Sequence, residues 1–384
     1  MIFNLSGLTD SEKEVLASVG KIRESIKYSL HTPARWIGVL RRNTFARAIR
    51  GSNSIEGYNV TQEDAIAAAE GDEPLEAQGE TWAAIKGYRD AMTYVLQLAA
   101  DPHFVYSDGL IKALHFMMVQ YDLKKHPGTW RPGVIFVKDE ETRKIVYEGP
   151  SADLVPRLIQ EFVECLNSDT SLPAIIRAAM AHLNLVMIHP FSDGNGRMSR
   201  CLQTLVLARE GILEPQFCSI EEYLGRNTRQ YYDVLGTVGQ GRWHPENDAR
   251  QWIRFCLTAH FLQAKTITRR IEEIKRIWDE IETLLKQRKL PDRCIMALTD
   301  AAVGYKVRNS TYRKAADISE NLASRDLKAL VDERLLISGG EKRGRFYSAA
   351  PILQEIRKRS RSPKAIENPF EAIPMQIPLP LASV

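Results

Sequence analysis

Twelve consecutive residues hold the side chains best suited to chemistry: His189-Pro-Phe-Ser-Asp-Gly-Asn-Gly-Arg-Met-Ser-Arg200. A histidine can accept a proton near neutral pH. Asp193 offers a hard oxygen ligand, which suits a magnesium ion shared with phosphates better than a cage made only of protein. Gly194, Asn195 and Gly196 place successive backbone N–H groups where two glycines permit close approach, and such a run at a helix N-terminus cradles an anion. Arg197 and Arg200, three residues apart in the first turns of that helix, add fork-shaped donors for phosphate oxygens. Taken singly, each part has an ordinary explanation: a structural histidine beside a proline, a Gly-Asn-Gly turn, two arginines facing solvent. Together they point to phosphoryl or nucleotidyl transfer.

Two helices must present this loop. Upstream, Ser171 and Pro173 read as a helix start, and Ile176, Met180, Leu183 and Met187 share one face until Pro190 stops the pattern. Downstream, Met198, Leu202, Leu205 and Val206 resume the helical period. Both helices are predicted to be buried, with the loop between them.

The segment resembles the signature of the Fic family, His-Pro-Phe-x-Asp/Glu-Gly-Asn-Gly/Lys-Arg-x-x-Arg, at every fixed position, and the likeness extends over roughly residues 45 to 260. It implies a helical core with a β-hairpin flap and transfer of AMP from ATP to a Ser, Thr or Tyr hydroxyl of a target protein. By position, His189 would deprotonate that hydroxyl, Asp193 would hold Mg2+, and Gly194, Asn195 and Gly196 would line the anion hole. Arg197 would grip the β-phosphate and Arg200 the γ-phosphate, making His189, Arg197 and Asn195 the catalytic set. Phe191 would plug into the core. Asn227 and Tyr231 match a stretch that borders the adenine in such proteins, although core packing explains the tyrosine nearly as well.

A second segment, Ser52-Asn-Ser-Ile-Glu56-Gly57, sets a hydroxyl and a carboxylate four residues apart on one helical face that Gly57 can end. It resembles the inhibitory motif Ser/Thr-x-x-x-Glu-Gly/Asn of the same family. The resemblance implies that Glu56 competes with the γ-phosphate for Arg200, and in some relatives such a glutamate also assists removal of AMP.

The remaining pattern is mainly helical, with five expected parts. Residues 1–73 form an N-terminal helical region with the inhibitory helix, ending at Gly71-Asp-Glu-Pro74, and residues 74–264 a catalytic core. Within that core, Val134 to Val137 and Lys144 to Tyr147 flank a charged turn and predict a hairpin, either an ordinary edge or a flap (134–147) that holds a target segment by strand addition. A connecting helix is expected over 265–290 and a small winged helix-turn-helix over 291–350. A proline-bearing tail, taken as 351–384, is expected to be disordered. Residues 306–345 hold ten Lys/Arg against six Asp/Glu, with Ser324, Arg325 and Lys328 on the second helix and Lys342, Arg343 and Arg345 on the wing. That unit suits DNA or a protein partner, a second copy in a homodimer included. A nucleotide-sensing DNA-binding regulator is therefore the rival reading, and an enzyme with another donor a third.

The 384 residues are 44% hydrophobic and 26% charged with net charge +4, so the chain as a whole is no polyanion binder. No stretch approaches the roughly 18 uncharged residues of a membrane span, nor does the start read as a signal peptide, so a cytoplasmic place is expected. Five scattered cysteines without metal-ligand spacing read as buried thiols.

Overall fold

The computed structural model describes all residues except 32–33, 139–143, 169–171, 212, 342–343, 365–366 and 372–384. In order it contains α1 (Asp10–His31), α2 (Trp36–Ile55), α3 (Gln62–Glu70), α4 (Gly79–Ala100), α5 (Asp108–Val119), β1 (Phe136–Lys138) and β2 (Ile145–Glu148). There follow α6 (Val155–Ser168), α7 (Ala174–Ile188), α8 (Asn195–Ala208), α9 (Pro215–Cys218), α10 (Glu221–Arg226), α11 (Thr228–Gly239) and α12 (Arg250–Arg288). The last third adds α13 (Ile295–Ala302), α14 (Asn309–Ala316), α15 (Glu320–Asp332), β3 (Leu336–Gly339), β4 (Phe346–Ala349) and α16 (Pro351–Ser360).

At the centre lie α7 and α8, packed on each other and buried on nearly every face. A helix apolar all round can only be stable inside a core. Trp252 of α12 is fully buried beneath them, its indole N–H donating to Ala179 O at 2.7 Å. Helix α12 runs 39 residues, roughly 58 Å at the standard rise. The expected boundary at 264/265 therefore falls inside one continuous helix, because Phe261, Ala264, Ile267 and Ile271 keep the buried stripe unbroken.

The two hairpins are both antiparallel. In the first, Phe136 faces Glu148 and Val137 faces Tyr147; its charged turn lies outside the described residues. Its base is tied to the core by the Tyr147 hydroxyl, which donates to Met187 O at 2.8 Å, while Phe136, Ile145 and Val146 stay exposed. In the second, Leu336 to Gly339 pair with Ala349 to Phe346 after the two helices α14 and α15, the order expected of the third unit.

Three expectations need correction. The tail does not begin at 351, since Pro351 starts a helix whose Leu353 and Ile356 are buried. Proline is favoured at a first helical turn, where its missing N–H costs nothing. Cys165 is exposed, whereas Cys201, Cys218, Cys256 and Cys294 are buried as expected. Some cations of the third unit are occupied within the chain, which lessens the charge counted for a partner. Lys314 pairs with Asp72 at 2.5 Å and donates to Glu70 O, Lys306 approaches Glu76 at 3.5 Å, and Arg308 donates to Glu73 O. Ser324, Arg325 and Lys328 are exposed as expected, and Lys342 and Arg343 lie outside the described residues.

Candidate active site

The loop between α7 and α8 begins with a sharp reversal. His189 ends α7 in the left-handed region, φ 49° and ψ 58°, the conformation that commonly closes a helix. Its ring Nδ1 lies 3.0 Å from Val186 O. A carbonyl can only accept, so Nδ1 carries the proton and Nε2 keeps its lone pair. Burial holds the imidazolium below the ordinary histidine range, with the nearby Arg131 adding to the effect. The half-buried ring is neutral at pH 7, in the tautomer a general base requires.

Phe191 is fully buried and stacks on His115, ring centroids 3.7 Å apart and 4° from parallel, with Trp130 on its flank. His115 in turn donates from Nε2 to Asp193 O at 3.0 Å and accepts from Gly128 N–H at 2.9 Å. The Asn195 side chain braces the loop, leaving the cradle to its backbone. Its Oδ1 accepts from Phe191 N–H at 2.9 Å and its Nδ2 donates to Phe191 O at 2.8 Å, so the amide is spent closing the loop. What Asn195 retains for a ligand is its backbone N–H.

Gly194 takes φ +78°, which only glycine adopts without strain, and a Cβ there would press Val119 at 3.2 Å. The first amide bonded back into α8 is that of Met198, to Gly194 O at 2.9 Å. The N–H groups of Asn195, Gly196 and Arg197 precede it and have no intrahelical acceptor.

Two guanidinium groups are buried beside those amides. Arg197 lies over the Tyr58 ring at 5.1 Å, and its nearest carboxylate oxygen, Asp193 Oδ2, is 3.9 Å away. Its Nε and Nη1 are buried with no hydrogen-bond partner, and so is Nη1 of Arg200. Unpaired buried guanidinium donors are costly, and three of them converging on a helix N-terminus mark a place built for an anion.

Part of that place is filled by the chain itself. Arg200 donates from Nε to Ser52 Oγ at 2.7 Å, and from Nη2 to Ser52 O at 3.0 Å and Glu56 Oε1 at 2.7 Å. Burial alone would lower its pKa, and the charge and hydrogen bond of Glu56 together with the nearby Tyr231 and Tyr88 outweigh this, leaving it raised. Gly196 makes the approach feasible, because a Cβ there would collide with Glu56 Oε1. Ser52 and Glu56 lie near the C-terminus of α2, which stops as expected. The N–H groups of Glu56 and Tyr58 return to Asn53 O at 3.1 Å, that of Gly57 to Ser54 O, and Gly57 sits at φ +80°. Where α2 crosses α10, Gly51 meets Gly225, and a Cβ on Gly225 would stand 2.6 Å from Gly51 O.

Asp193 is half-exposed, with Oδ1 accepting from Gly194 N–H at 2.7 Å and Oδ2 3.0 Å from Lys125 Nζ. Burial pushes the carboxyl up, but Arg197 and Lys125 more than reverse this and hold it below the usual carboxylate range. Among the described residues no group of three or more His, Cys, Asp or Glu could hold a metal. A single carboxylate beside an anion cradle fits a magnesium ion whose other ligands are phosphate and water.

Of the remaining expected residues, Tyr231 is 1% exposed, and its hydroxyl shares a 2.9 Å hydrogen bond with His182 Nε2. Its ring is core, as the alternative reading had it. Asn227 precedes α11, its Nδ2 donating to Tyr223 O at 2.8 Å. The neighbouring Tyr232 is 46% exposed, with its hydroxyl 3.3 Å from Ile55 O. Sequence reasoning also missed Arg131, His115 and Lys125. Arg131 donates from its backbone N–H to Pro190 O and from Nε to His189 O at 2.8 Å, joining the hairpin base to the loop. No local pattern signals such residues, since each reaches the loop from a distant part of the chain.

These features define a mainly helical protein whose central helix pair sets free helix-start amides and buried arginine donors next to a neutral histidine, with a hairpin alongside. Residues 106–207 match the Fic/DOC family, so the chain carries a Fic domain over that stretch. Similar chains include protein adenylyltransferase fic-1 of Caenorhabditis elegans, 34% identical over 116 residues, 29% of this chain and 20% of that one. Another is protein adenylyltransferase Fic of Culex quinquefasciatus, 38% identical over 126 residues, 30% of this chain and 22% of that one. The chain thus spans about a fifth of the length of the curated relatives it matches. Among solved structures, a Fic family protein from Desulfovibrio desulfuricans G20 aligns with TM-score 0.57 at 20% identity over 91% of this chain and 99% of that one. Residues 134–508 of C. elegans Fic-1 align with TM-score 0.53 at 22% identity over 67% and 72%. At such identities these two establish the fold. No helix among the described residues is long and apolar enough to cross a membrane.

Proposed function

We propose that this protein is a magnesium- and ATP-dependent protein adenylyltransferase, restrained by its own Glu56. The carrying observation is the cluster of unpaired buried donors on Arg197 and Arg200 beside the N-terminus of α8, with a carboxylate already drawn onto Arg200. Groups that attract Glu56 so closely suit the phosphates of a nucleotide equally well.

The neutral His189 ring, its Nδ1 proton held by Val186 O, would accept the proton of a Ser, Thr or Tyr hydroxyl at Nε2. The hydroxyl oxygen then bonds to the α-phosphorus while the α–β phosphoanhydride bond breaks, leaving AMP on the target and releasing pyrophosphate. The amides of Asn195, Gly196 and Arg197 and the free donors of Arg197 would hold the phosphates in line, the positioning and charge neutralisation such a transfer needs most. Magnesium at Asp193 would supply further neutralisation of phosphate charge. The exposed edge formed by Phe136, Ile145 and Val146 suits an extended target segment. Glu56, by occupying Arg200, would deny it to the γ-phosphate. The rival DNA-binding reading is left with fewer cations, because Lys306, Arg308 and Lys314 are engaged by α3 and the loop that follows it.

The test is mass spectrometry of purified Glu56→Gly protein after incubation with Mg2+ and ATP. One AMP unit gained on the chain or on an added target is expected, and less on the unmodified sequence. A different added mass would indicate that another group is transferred from ATP and would refute AMP transfer, as would no added mass on any protein supplied.

A further inference from the structure

Lys125 closes a single 3-10 turn (Leu123–Lys125) beyond α5. Its ammonium faces four acceptors: Glu80 Oε1 at 2.7 Å, Tyr58 OH at 2.9 Å, Tyr121 OH at 3.0 Å and Asp193 Oδ2 at 3.0 Å. An ammonium carries only three N–H donors. One acceptor is always in surplus, so Lys125 can release Asp193 without leaving a donor unmade. The other Asp193 oxygen is held by Gly194 N–H, so Oδ2 is the oxygen available to a metal, and Lys125 is the cation now on it.

We propose that Lys125 is a built-in stand-in for the divalent cation at Asp193, making metal binding there conditional on a polyphosphate. The proposal rests on the reading of Asp193 as the metal ligand. A magnesium ion would sit about 2.0–2.1 Å from Oδ2, within a few ångströms of an ammonium anchored by three other groups. Two cations on one carboxylate repel, so the free protein holds metal poorly. The negative charge of a triphosphate reverses the balance, and the surplus in Lys125 bonding lets the carboxylate change partners at little cost. A purely structural lysine would not need Asp193, because Glu80 and the two tyrosines already anchor the turn.

The test is Mn2+ binding to the full chain by electron paramagnetic resonance, with and without a non-hydrolysable ATP analogue. Without nucleotide, Lys125→Met is expected to bind Mn2+ about twofold to fivefold more tightly than the natural chain, the factor that a partly exposed ion pair represents. Glu80→Gln, which leaves the ammonium leaning on Asp193, is expected to bind less tightly. Unchanged or weaker Mn2+ binding by Lys125→Met, or a shift of both variants in one direction, overturns the proposal. An Asp193→Asn chain that binds Mn2+ with the analogue as well as the natural chain overturns instead the assignment of the metal to Asp193.

Discussion

Glu56→Gly removes the carboxylate that accepts from Arg200 at 2.7 Å, leaving a guanidinium that is 1% exposed and still donates to Ser52 but has lost its counter-charge. The Glu56 side chain is 24% exposed, so the loss belongs nearer the 1.5–3 kcal/mol of a charged hydrogen bond than the 3–5 kcal/mol of a wholly buried pair. Position 56 is the helix C-cap at φ −94° and ψ 15°, where glycine adds little cost of its own. At about 2.1 cal/mol/K per residue, the unfolding entropy of a chain this size is near 0.8 kcal/mol/K, so the midpoint should fall by roughly 2–4 °C. Nucleotide should reverse the order. With Arg200 vacated, ATP gains up to the energy of the lost pair, about tenfold to a hundredfold in affinity, and the variant should be raised further by Mg2+ and ATP than the natural chain. Scanning calorimetry over an ATP series reads both effects. Equal nucleotide-induced shifts in the two proteins would show that Glu56 and the phosphates do not share Arg200, and the brake would be refuted.

His189→Ala should lower AMP transfer in the Glu56→Gly background by about 10²- to 10⁴-fold, the share of a general base, while calorimetry finds ATP affinity within about threefold; retained transfer would remove the proposed base. Gly225→Ala drives a Cβ to within 2.7 Å of Gly51 backbone atoms, so a loss of about 1–3 kcal/mol in denaturant unfolding is expected, together with raised self-modification as Ser52 and Glu56 shift; a neutral, still-restrained variant would contradict the backbone-to-backbone crossing. Burial pulls His115 from 6.5 down to about 4. Between those values the unfolded chain binds a proton that the folded one refuses, so stability is complete above the window and is lost as pH falls through it. His115→Gln should therefore show a smaller drop in melting midpoint from pH 7 to pH 5 than the natural chain, by the equivalent of about 1–2 kcal/mol, and an equal drop would rule out His115 as the source.

The loop and its two helices were legible because every cause is local. Pro190 stops one helix, Gly194 and Gly196 permit the turn, and the apolar spacing of Met198, Leu202 and Leu205 restarts the period. The end of α2 was legible for the same reason, since Gly57 supplies the left-handed residue the cap requires. Partners across the chain were not. Arg131 meets His189 from 58 residues away and Glu56 meets Arg200 from 144, and no periodicity encodes such pairs. The backbone amide of Asn195 was legible at the helix start, but not that its side-chain amide would be consumed by Phe191. Tyr231 stood between two readings because a tyrosine in a core with a histidine for its hydroxyl looks, in sequence, like one lining a pocket. The continuity of α12 was missed because composition shifts along it while the buried stripe does not.

How Glu56 could be moved follows from what holds α2. Near its start Arg42 pairs with Asp300 of α13, both under a tenth exposed, and Arg47 donates to Tyr305 OH at 2.9 Å. Toward its C-terminus Gly51 lies against α10, with Gly225 and the Glu221 carbonyl in backbone contact. At its end Ser52 is fully buried on Arg200. Lifting the helix would expose Val39, Leu40, Ile49 and Ile55 together, several kcal/mol of apolar surface at about 1.5–3 kcal/mol for each large side chain. Turning the Glu56 side chain alone forfeits one ion pair. Glu56 lies beyond the last full turn of α2 and next to Gly57, so its side chain can swing while Ser52 and the helix stay docked. Release by rotation of this one residue is thus the low-energy route, and it predicts that amide hydrogens of Ala46 to Ile49 remain as protected in the natural chain with Mg2+ and ATP as without them, as hydrogen exchange would read.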